Sequence, residues 1–129
     1  MSRAAHILAA LAALMGAGGV ALAALAAHAD GGEFARTASF FLILHAAALV
    51  GLSAHARIRE GSKSLVIAGF ALAAGAILFS GDLAARAFLG GRLFPFAAPT
   101  GGSLMILSWL ALAIAFICGA TRDSSTPCR

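Results

Sequence analysis

Four long apolar stretches without a charged residue divide this chain and restrict what it can fold into. They cover residues 7–27, 37–54, 64–81 and 102–120. About 20 residues of α-helix cross the roughly 30 Å hydrocarbon core of a bilayer, and the shorter stretches gain a turn from their flanks. Because a segment in lipid must satisfy its own backbone hydrogen bonds, each stretch is predicted to be a transmembrane helix.

The composition favours the same conclusion. Charged residues make up 11% of the 129 residues and hydrophobic residues 61%, whereas a typical soluble domain is about 25% charged. The net charge of +4 comes from scattered Lys and Arg, so we expect no nucleic-acid partner. Residues 1–129 are predicted to form a single transmembrane domain whose first partner is the lipid bilayer.

The connections predict the order of the helices. Residues 28–36 and 55–63 are short, which makes neighbouring helices antiparallel. The predicted fold is therefore all-α, an integral membrane four-helix bundle with up-down-up-down topology. The Lys and Arg residues divide six to three between the two ends: Arg3, Arg57, Arg59, Lys63, Arg122 and Arg129 against Arg36, Arg86 and Arg92. The positive-inside bias then places both termini in the cytoplasm.

The first stretch has a second interpretation. Arg3, an apolar run and Ala27-His28-Ala29 have the outline of a cleaved secretory signal peptide. A signal peptide core usually has about 7 to 15 apolar residues, and this run is longer. We expect the first helix to be retained, with cleavage as the alternative.

Small residues recur at helical spacing and indicate close helix packing, since they let backbones approach in lipid. We expect these small residues to face the bundle and the bulky residues of the fourth stretch to face lipid. The alternative is that the face around Trp109 binds an apolar cofactor or a partner helix. The small residues are Ala12, Gly16, Gly19, Ala23 and Ala27 in the first stretch, and Gly101, Gly102, Ser108, Ala111 and Ala115 in the fourth, opposite Met105, Trp109, Leu112 and Phe116.

Ionisable residues at membrane depth are candidates for function, and His45 is the clearest. It shares a helix face with Phe41 and Leu52 that is predicted to point inward. We expect a neutral imidazole that is hydrogen-bonded to a neighbouring helix. A proton relay, a ligand contact or a metal site is the alternative.

A second set of polar residues is predicted at the end of the bundle opposite the N-terminus. Asp82 and Arg86 are four residues apart, so their side chains can pair on a continuing helix. His28 is predicted to lie at the same end, which makes a cluster of His28, Asp82 and Arg86 a candidate site. An ordinary interfacial rim is the alternative.

The connection before the fourth stretch is rich in large apolar residues. Phe88, Phe94 and Phe96 are typical of a segment that lies in the membrane interface, and a partner-docking loop is the alternative. Pro95 and Pro99 are expected to prevent a continuous helix, and Thr100 is expected to be the N-cap of the fourth helix.

No cofactor or metal site is predicted. Haem ligation by His28 and His45 fails because they differ in depth by about 12 Å. The chain has no Cys-x-x-Cys, P-loop or Gly-x-Ser-x-Gly motif.

Four motifs in order resemble the YgdD-like family of small bacterial inner-membrane proteins of unknown function. The motifs are Ala24-Leu25-Ala26-Ala27-His28, Leu44-His45-Ala46-Ala47-Ala48-Leu49, Leu78-Phe79-Ser80-Gly81-Asp82-Leu83, and Pro99-Thr100-Gly101-Gly102 with Ser108-Trp109. The resemblance implies a four-helix protein of the bacterial inner membrane and brings no established reaction. The chain departs from the family at Phe41-Leu42, where Tyr-Gln is common, at Asp82, where Ser is common, and at Ser108, where Gly is common.

These observations predict a non-enzymatic accessory or interaction subunit that packs through its small-residue helix faces and the aromatic connection, with a membrane protein or a second copy of the chain as partner. The alternative is a small proton- or solute-coupled transporter that uses His45 and an outer Asp82/Arg86 cluster. An enzyme that acts on a lipid or a quinone is the third hypothesis.

Overall fold

Four helices make up most of the protein. The computed structural model describes residues 2–28, 32–58 and 63–124. Its helices are α1 (Ser2–His28), α2 (Gly32–Ile58), α3 (Lys63–Phe88) and α4 (Ala97–Ser124), and no strand occurs in these ranges. All four helices are long and apolar enough to cross a membrane. The predicted all-α fold class is confirmed.

The helices extend beyond the uncharged stretches. The third continues past Gly81 to Phe88, and the fourth begins at Ala97, so Leu89–Phe96 is the whole connection between them. Pro99 lies in the first turn of α4, where a helix does not need the missing N–H. The prediction that Thr100 is the N-cap is wrong, because its backbone N–H donates to the Phe96 carbonyl at 2.9 Å within the first turn.

Close contacts show that consecutive helices are antiparallel. On α1, Gly16 faces Ala46 and Gly19 faces Ile43 of α2, so residue numbers rise along one helix as they fall along the other. Helices α3 and α4 are also antiparallel, because Gly75 meets Met105 while Phe79 meets Gly101. Between α2 and α3, Leu52 meets Gly69 while Phe41 packs on Phe79, so all three consecutive pairs are antiparallel and the topology is up-down-up-down.

The second and third helices form the centre of the bundle. About half of the α3 span is buried (50%), against 39% for α2 and 22% each for α1 and α4. The first helix packs on α2 and touches α3, the fourth packs on α3, and α1 and α4 are not in contact over the described residues. One hydrophobic cluster nevertheless joins all four helices, through Leu8, Leu49, Leu72 and Leu112 among others.

The small-residue stripe of α1 contacts α2 along only part of its length. Gly19 is buried, and a Cβ there would lie 3.1 Å from the backbone nitrogen of Ile43. Gly16 is partly buried against Ala46. Ala23 and Ala27 are exposed, so the expectation that they face the bundle is wrong. Among the glycines of α1, Gly19 lies closest to α2, and the stripe residues beyond it are exposed.

The fourth helix buries only part of the predicted face, because Gly101 and Ser108 are buried as expected whereas other members of the stripe are not. Its buried stripe consists of Gly101, Met105, Ser108 and Leu112, at the spacing of one helix face. The prediction that Met105 and Leu112 face lipid is wrong, and Ala111 is exposed. The cause is the crossing of α3 and α4 at Gly75 and Gly101, which brings the Met105 side chain against Gly75. Gly102, next to this crossing, is partly exposed and has room around it.

Candidate functional site

The buried histidine of α2 is bonded at both ring nitrogens. His45 is 3% exposed. Its Nδ1 lies 2.7 Å from the Phe41 carbonyl oxygen of the preceding helical turn, and its Nε2 lies 3.3 Å from Nε1 of Trp109 on α4. An indole N–H only donates and a carbonyl only accepts. We therefore assign the proton to Nδ1, which makes Nε2 the acceptor and His45 a neutral imidazole.

Trp109 is the hydrogen-bond partner of His45 that the sequence did not identify. Its ring is 46% exposed, yet its N–H reaches inward to His45, and the two ring centroids are 6.1 Å apart. The expectation that Trp109 belongs to a purely lipid-facing side overlooked its N–H, which normally finds an acceptor when it is removed from water. The arrangement joins α2 to α4 by a side-chain hydrogen bond.

Phe41, the first residue of the Phe41-Leu42 departure, contacts the ring of His45. Its ring lies nearly parallel to the His45 ring, with centroids 5.9 Å apart, and packs against Phe79 of α3. Only the backbone carbonyl of Phe41 bonds to the imidazole. His45 is therefore held by one carbonyl, one indole and an aromatic neighbour, and no side-chain acid or base of a described residue bonds to it.

The carboxylate of α3 is fully buried and has three hydrogen bonds. One oxygen of Asp82, Oδ2, accepts from Nε of Arg86 at 2.9 Å and from Nη2 of the same guanidinium. The other, Oδ1, accepts from the backbone N–H of Leu93 at 2.9 Å. The carboxylate pairs with Arg86 along the helix and also ties the α3–α4 connection to the end of α3.

The neighbours of Arg86 differ in part from the predicted cluster. Its side chain is 20% exposed, and its guanidinium carbon lies 5.8 Å from the ring centroid of Phe34 on α2, a cation–π distance. His28 is an exposed residue at the end of α1 and makes no hydrogen bond or ion pair with Asp82 or Arg86. Sequence spacing indicates the Asp82–Arg86 pair, whereas Leu93 lies in the α3–α4 connection and Phe34 on α2, and neither contact has a local signal.

The remaining buried polar groups mostly bond within their own helices. The hydroxyls of Ser39, Ser53 and Ser108 donate to carbonyls three or four residues earlier, which is common for serine in helices. Ser80 Oγ and His55 Nε2 are buried and have no hydrogen-bond partner among the described residues. Within the described ranges no group of three metal-ligating side chains occurs.

Cavities open between the described parts of the helices. One of about 300 Å³ lies between α1, α2 and α3 and includes Ser80 in its lining. A second, of about 240 Å³, lies between α2 and α4 beside His55, Trp109 and Phe116. A third, of about 560 Å³, is at the Asp82 end and is lined by Arg86 and Arg92 among others.

The chain is similar to a known protein family. Residues 4–102 match the model of a family described as protein of unknown function, DUF423. The chain belongs to the DUF423 family. The match includes His45, Asp82 and Arg86 and ends within α4, before Trp109. No solved structure matches this DUF423 chain. With four membrane-spanning candidates, the chain is a small multi-pass membrane protein of an uncharacterised family.

Proposed function

We propose that this DUF423 protein is a non-enzymatic accessory or interaction subunit of the bacterial inner membrane, with both termini in the cytoplasm. The observation that carries the proposal is the state of its polar groups at membrane depth. Such groups usually mark ion paths or reaction sites. Here His45 and Asp82 bond within the chain and hold its helices and connection together, which favours a structural role for them.

The connection Leu89–Phe96, hereafter the outer loop, is the contact surface we assign to a partner. The exposed fractions are 80% for Leu89, 53% for Leu93, 47% for Phe94 and 70% for Phe96. Phe96 also has a φ of 68°, which is unfavourable for a residue with a Cβ and is often found at functional positions. The alternative is that these side chains insert into the membrane interface.

The small-residue faces contribute less to partner binding than the sequence indicated. Gly19 of α1 is covered by α2, and Gly75 of α3 and Gly101 of α4 cover each other. Because these glycines are already used inside the chain, the outer loop is the better candidate for contact with a membrane protein or a second copy.

Site-specific photo-crosslinking in living cells tests the proposal. A photoreactive amino acid at Phe96 is expected to give an adduct of defined mass with one protein. The same group at Leu14, which is 71% exposed on α1, serves as a control for general lipid exposure and is expected to give lipid adducts. Lipid adducts alone from both positions would contradict an interaction role and favour interfacial anchoring of the outer loop.

The alternative is a proton- or solute-coupled carrier that uses His45 and the Asp82–Arg86 pair. It has less support, because these groups are bonded internally and the helices that hold them are continuous, whereas many carriers have broken helices near the midplane. A His45→Gln variant that stays folded but loses uptake of one solute in a transport panel would favour the carrier.

The ordered motifs around His28, His45, Asp82 and Gly101 also support placing this protein in the YgdD-like group. We propose that assignment as a refinement of the family relationship.

A further inference from the structure

The largest of these cavities has both cationic and apolar lining. It lies where α2 begins, α3 ends and α4 begins, and its volume is about 560 Å³. Arg86, Arg92 and Ser103 supply its polar lining, and the remaining lining residues, Phe79 and Ile106 among them, are apolar. Phe79 precedes Arg86 by seven residues on α3, which places it about 10 Å deeper along the helix. Apolar lining therefore extends deeper into the bundle than Arg86 does.

Both arginines have donors to offer a ligand. A guanidinium has five N–H groups, and Asp82 accepts from Nε and from Nη2 of Arg86, so about three N–H groups of Arg86 are not used by this carboxylate. Arg92 is exposed and makes no hydrogen bond or ion pair with any described residue. The two arginines and Asp82 leave one net positive charge at the cavity.

This chemistry selects a phosphate group. Arginine binds phosphate oxygens through two parallel N–H donors, a geometry that lysine does not reproduce. The hydroxyl of Ser103 adds one donor from α4. A membrane phospholipid presents a phosphate and then acyl chains in the same order as the cavity presents arginines and then Phe79 and Ile106. The net negative charge of an anionic phospholipid complements the local positive charge.

We propose that this cavity binds the phosphate of an anionic phospholipid, with the start of an acyl chain against Phe79 and Ile106. The site is independent of the proposed partner of the outer loop and of the side of the membrane that this end faces. Soluble inorganic phosphate shares the headgroup chemistry, so the experiment must separate the two sources.

Native mass spectrometry of the full chain in mild detergent tests the proposal with three probes: phosphatidylglycerol, phosphatidylcholine and inorganic phosphate. The wild-type protein is expected to retain phosphatidylglycerol about tenfold more tightly than phosphatidylcholine. R92Q is expected to weaken phosphatidylglycerol binding about tenfold, as the loss of a charge-assisted contact predicts. R57Q removes one positive charge from an exposed position near the other end of α2 and is expected to bind like the wild type.

A second variant blocks the cavity without changing its charge. A Cβ at Gly102 has its nearest neighbour 3.9 Å away, at Phe79, so G102L is expected to fold and to fill part of the cavity. Its unfolding temperature without lipid should match the wild type, and its phosphatidylglycerol binding should fall as in R92Q.

Three results would overturn the proposal. R92Q or G102L could bind phosphatidylglycerol as tightly as the wild type. R57Q could lose as much binding as R92Q, which would indicate attraction to overall charge. Millimolar inorganic phosphate could raise the unfolding temperature through Arg92 while phosphatidylglycerol does not, which would assign the cavity to a soluble ligand.

Discussion

At the scale of single residues, glycines determine how closely these helices approach. A Cβ on Gly101 would lie 2.6 Å from the backbone nitrogen of Phe79 and 2.8 Å from the carbonyl oxygen of Gly75. Both are backbone atoms, which a rotamer change cannot move. Gly75 has the same problem in reverse, with the Gly101 carbonyl oxygen at 2.9 Å. The two glycines thus form one reciprocal contact between α3 and α4.

The first prediction follows from this contact. Gly101→Ala is expected to push α4 away from α3 and to lower the free energy of unfolding by about 1–3 kcal/mol, the usual range for an overpacked site. Unfolding of the purified protein in detergent by heat or by denaturing detergent measures the change.

Gly102→Ala is the matched control, one residue along the same helix. Its added Cβ meets nothing closer than 3.9 Å, and alanine favours the helix over glycine. Its stability should equal or exceed that of the wild type. Equal stability of the Gly101→Ala and Gly102→Ala proteins would show that the close crossing of α3 and α4 does not exist in the membrane-extracted protein.

At the scale of elements, one carboxylate holds the end of α3 and the outer loop together. Asp82 pairs with Arg86 one turn later and accepts a hydrogen bond from the backbone of Leu93. The ion pair lets the helix continue past Gly81 although charged residues begin there, because a paired charge at the membrane edge is less costly than an isolated one. The bond to Leu93 sets where the chain turns back toward α4.

The second prediction concerns Asp82→Ala, which leaves Arg86 without its counter-charge and the Leu93 N–H without its acceptor. We expect a loss of about 2–4 kcal/mol in the free energy of unfolding, near the range measured for broken buried pairs, with some relief because a long arginine side chain can reach water. Hydrogen exchange at the Leu93 amide should become faster.

Asp82→Asn separates the two contributions of the carboxylate. The amide oxygen can still accept from Leu93, whereas the charge that faces Arg86 is lost. Slow exchange at Leu93 with reduced stability is expected for this variant. If Asp82→Ala left the Leu93 amide as protected as in the wild type, the proposed tie between α3 and the outer loop would be wrong.

At the scale of the whole molecule, the helices are arranged around the α2–α3 pair, with α1 and α4 apart from each other. This arrangement leaves α1 and α4 with broad exposed apolar faces, including Leu14 and Ile114 at 71% and 62% exposed. The same faces are the ones that lipid must cover in a membrane-spanning bundle. The charge bias between the two ends then predicts which way the bundle is inserted.

The third prediction is that both termini lie in the cytoplasm. A green fluorescent protein fused after the last residue should fluoresce, and alkaline phosphatase at the same place should be inactive, since that enzyme needs an oxidising compartment. Alkaline phosphatase inserted after Gly91 in the outer loop should be active. The reverse pattern would place the termini outside and would contradict the positive-inside assignment.

The sequence by itself determined the four helices and their antiparallel order. Stretches free of charge that match the bilayer thickness permit only helices, and short connections permit only antiparallel neighbours. It also indicated the Asp82–Arg86 pair, because residues four apart are neighbours on any helix. These features depend on local spacing and on the surrounding lipid, and both can be inferred from the order of the residues.

Only the tertiary structure decided which faces meet. The burial of Met105 and Leu112 depends on the crossing angle of α3 and α4. The hydrogen bonds from Trp109 to His45 and from Leu93 to Asp82 join residues that are not neighbours on one helix. In a chain so rich in small residues, several faces could pack equally well by pattern alone. The choice came from backbone contacts at Gly19, Gly75 and Gly101. These contacts are distances between helices, and the small-residue spacing that includes Gly19 and Gly101 did not distinguish them from the exposed members of the same stripes.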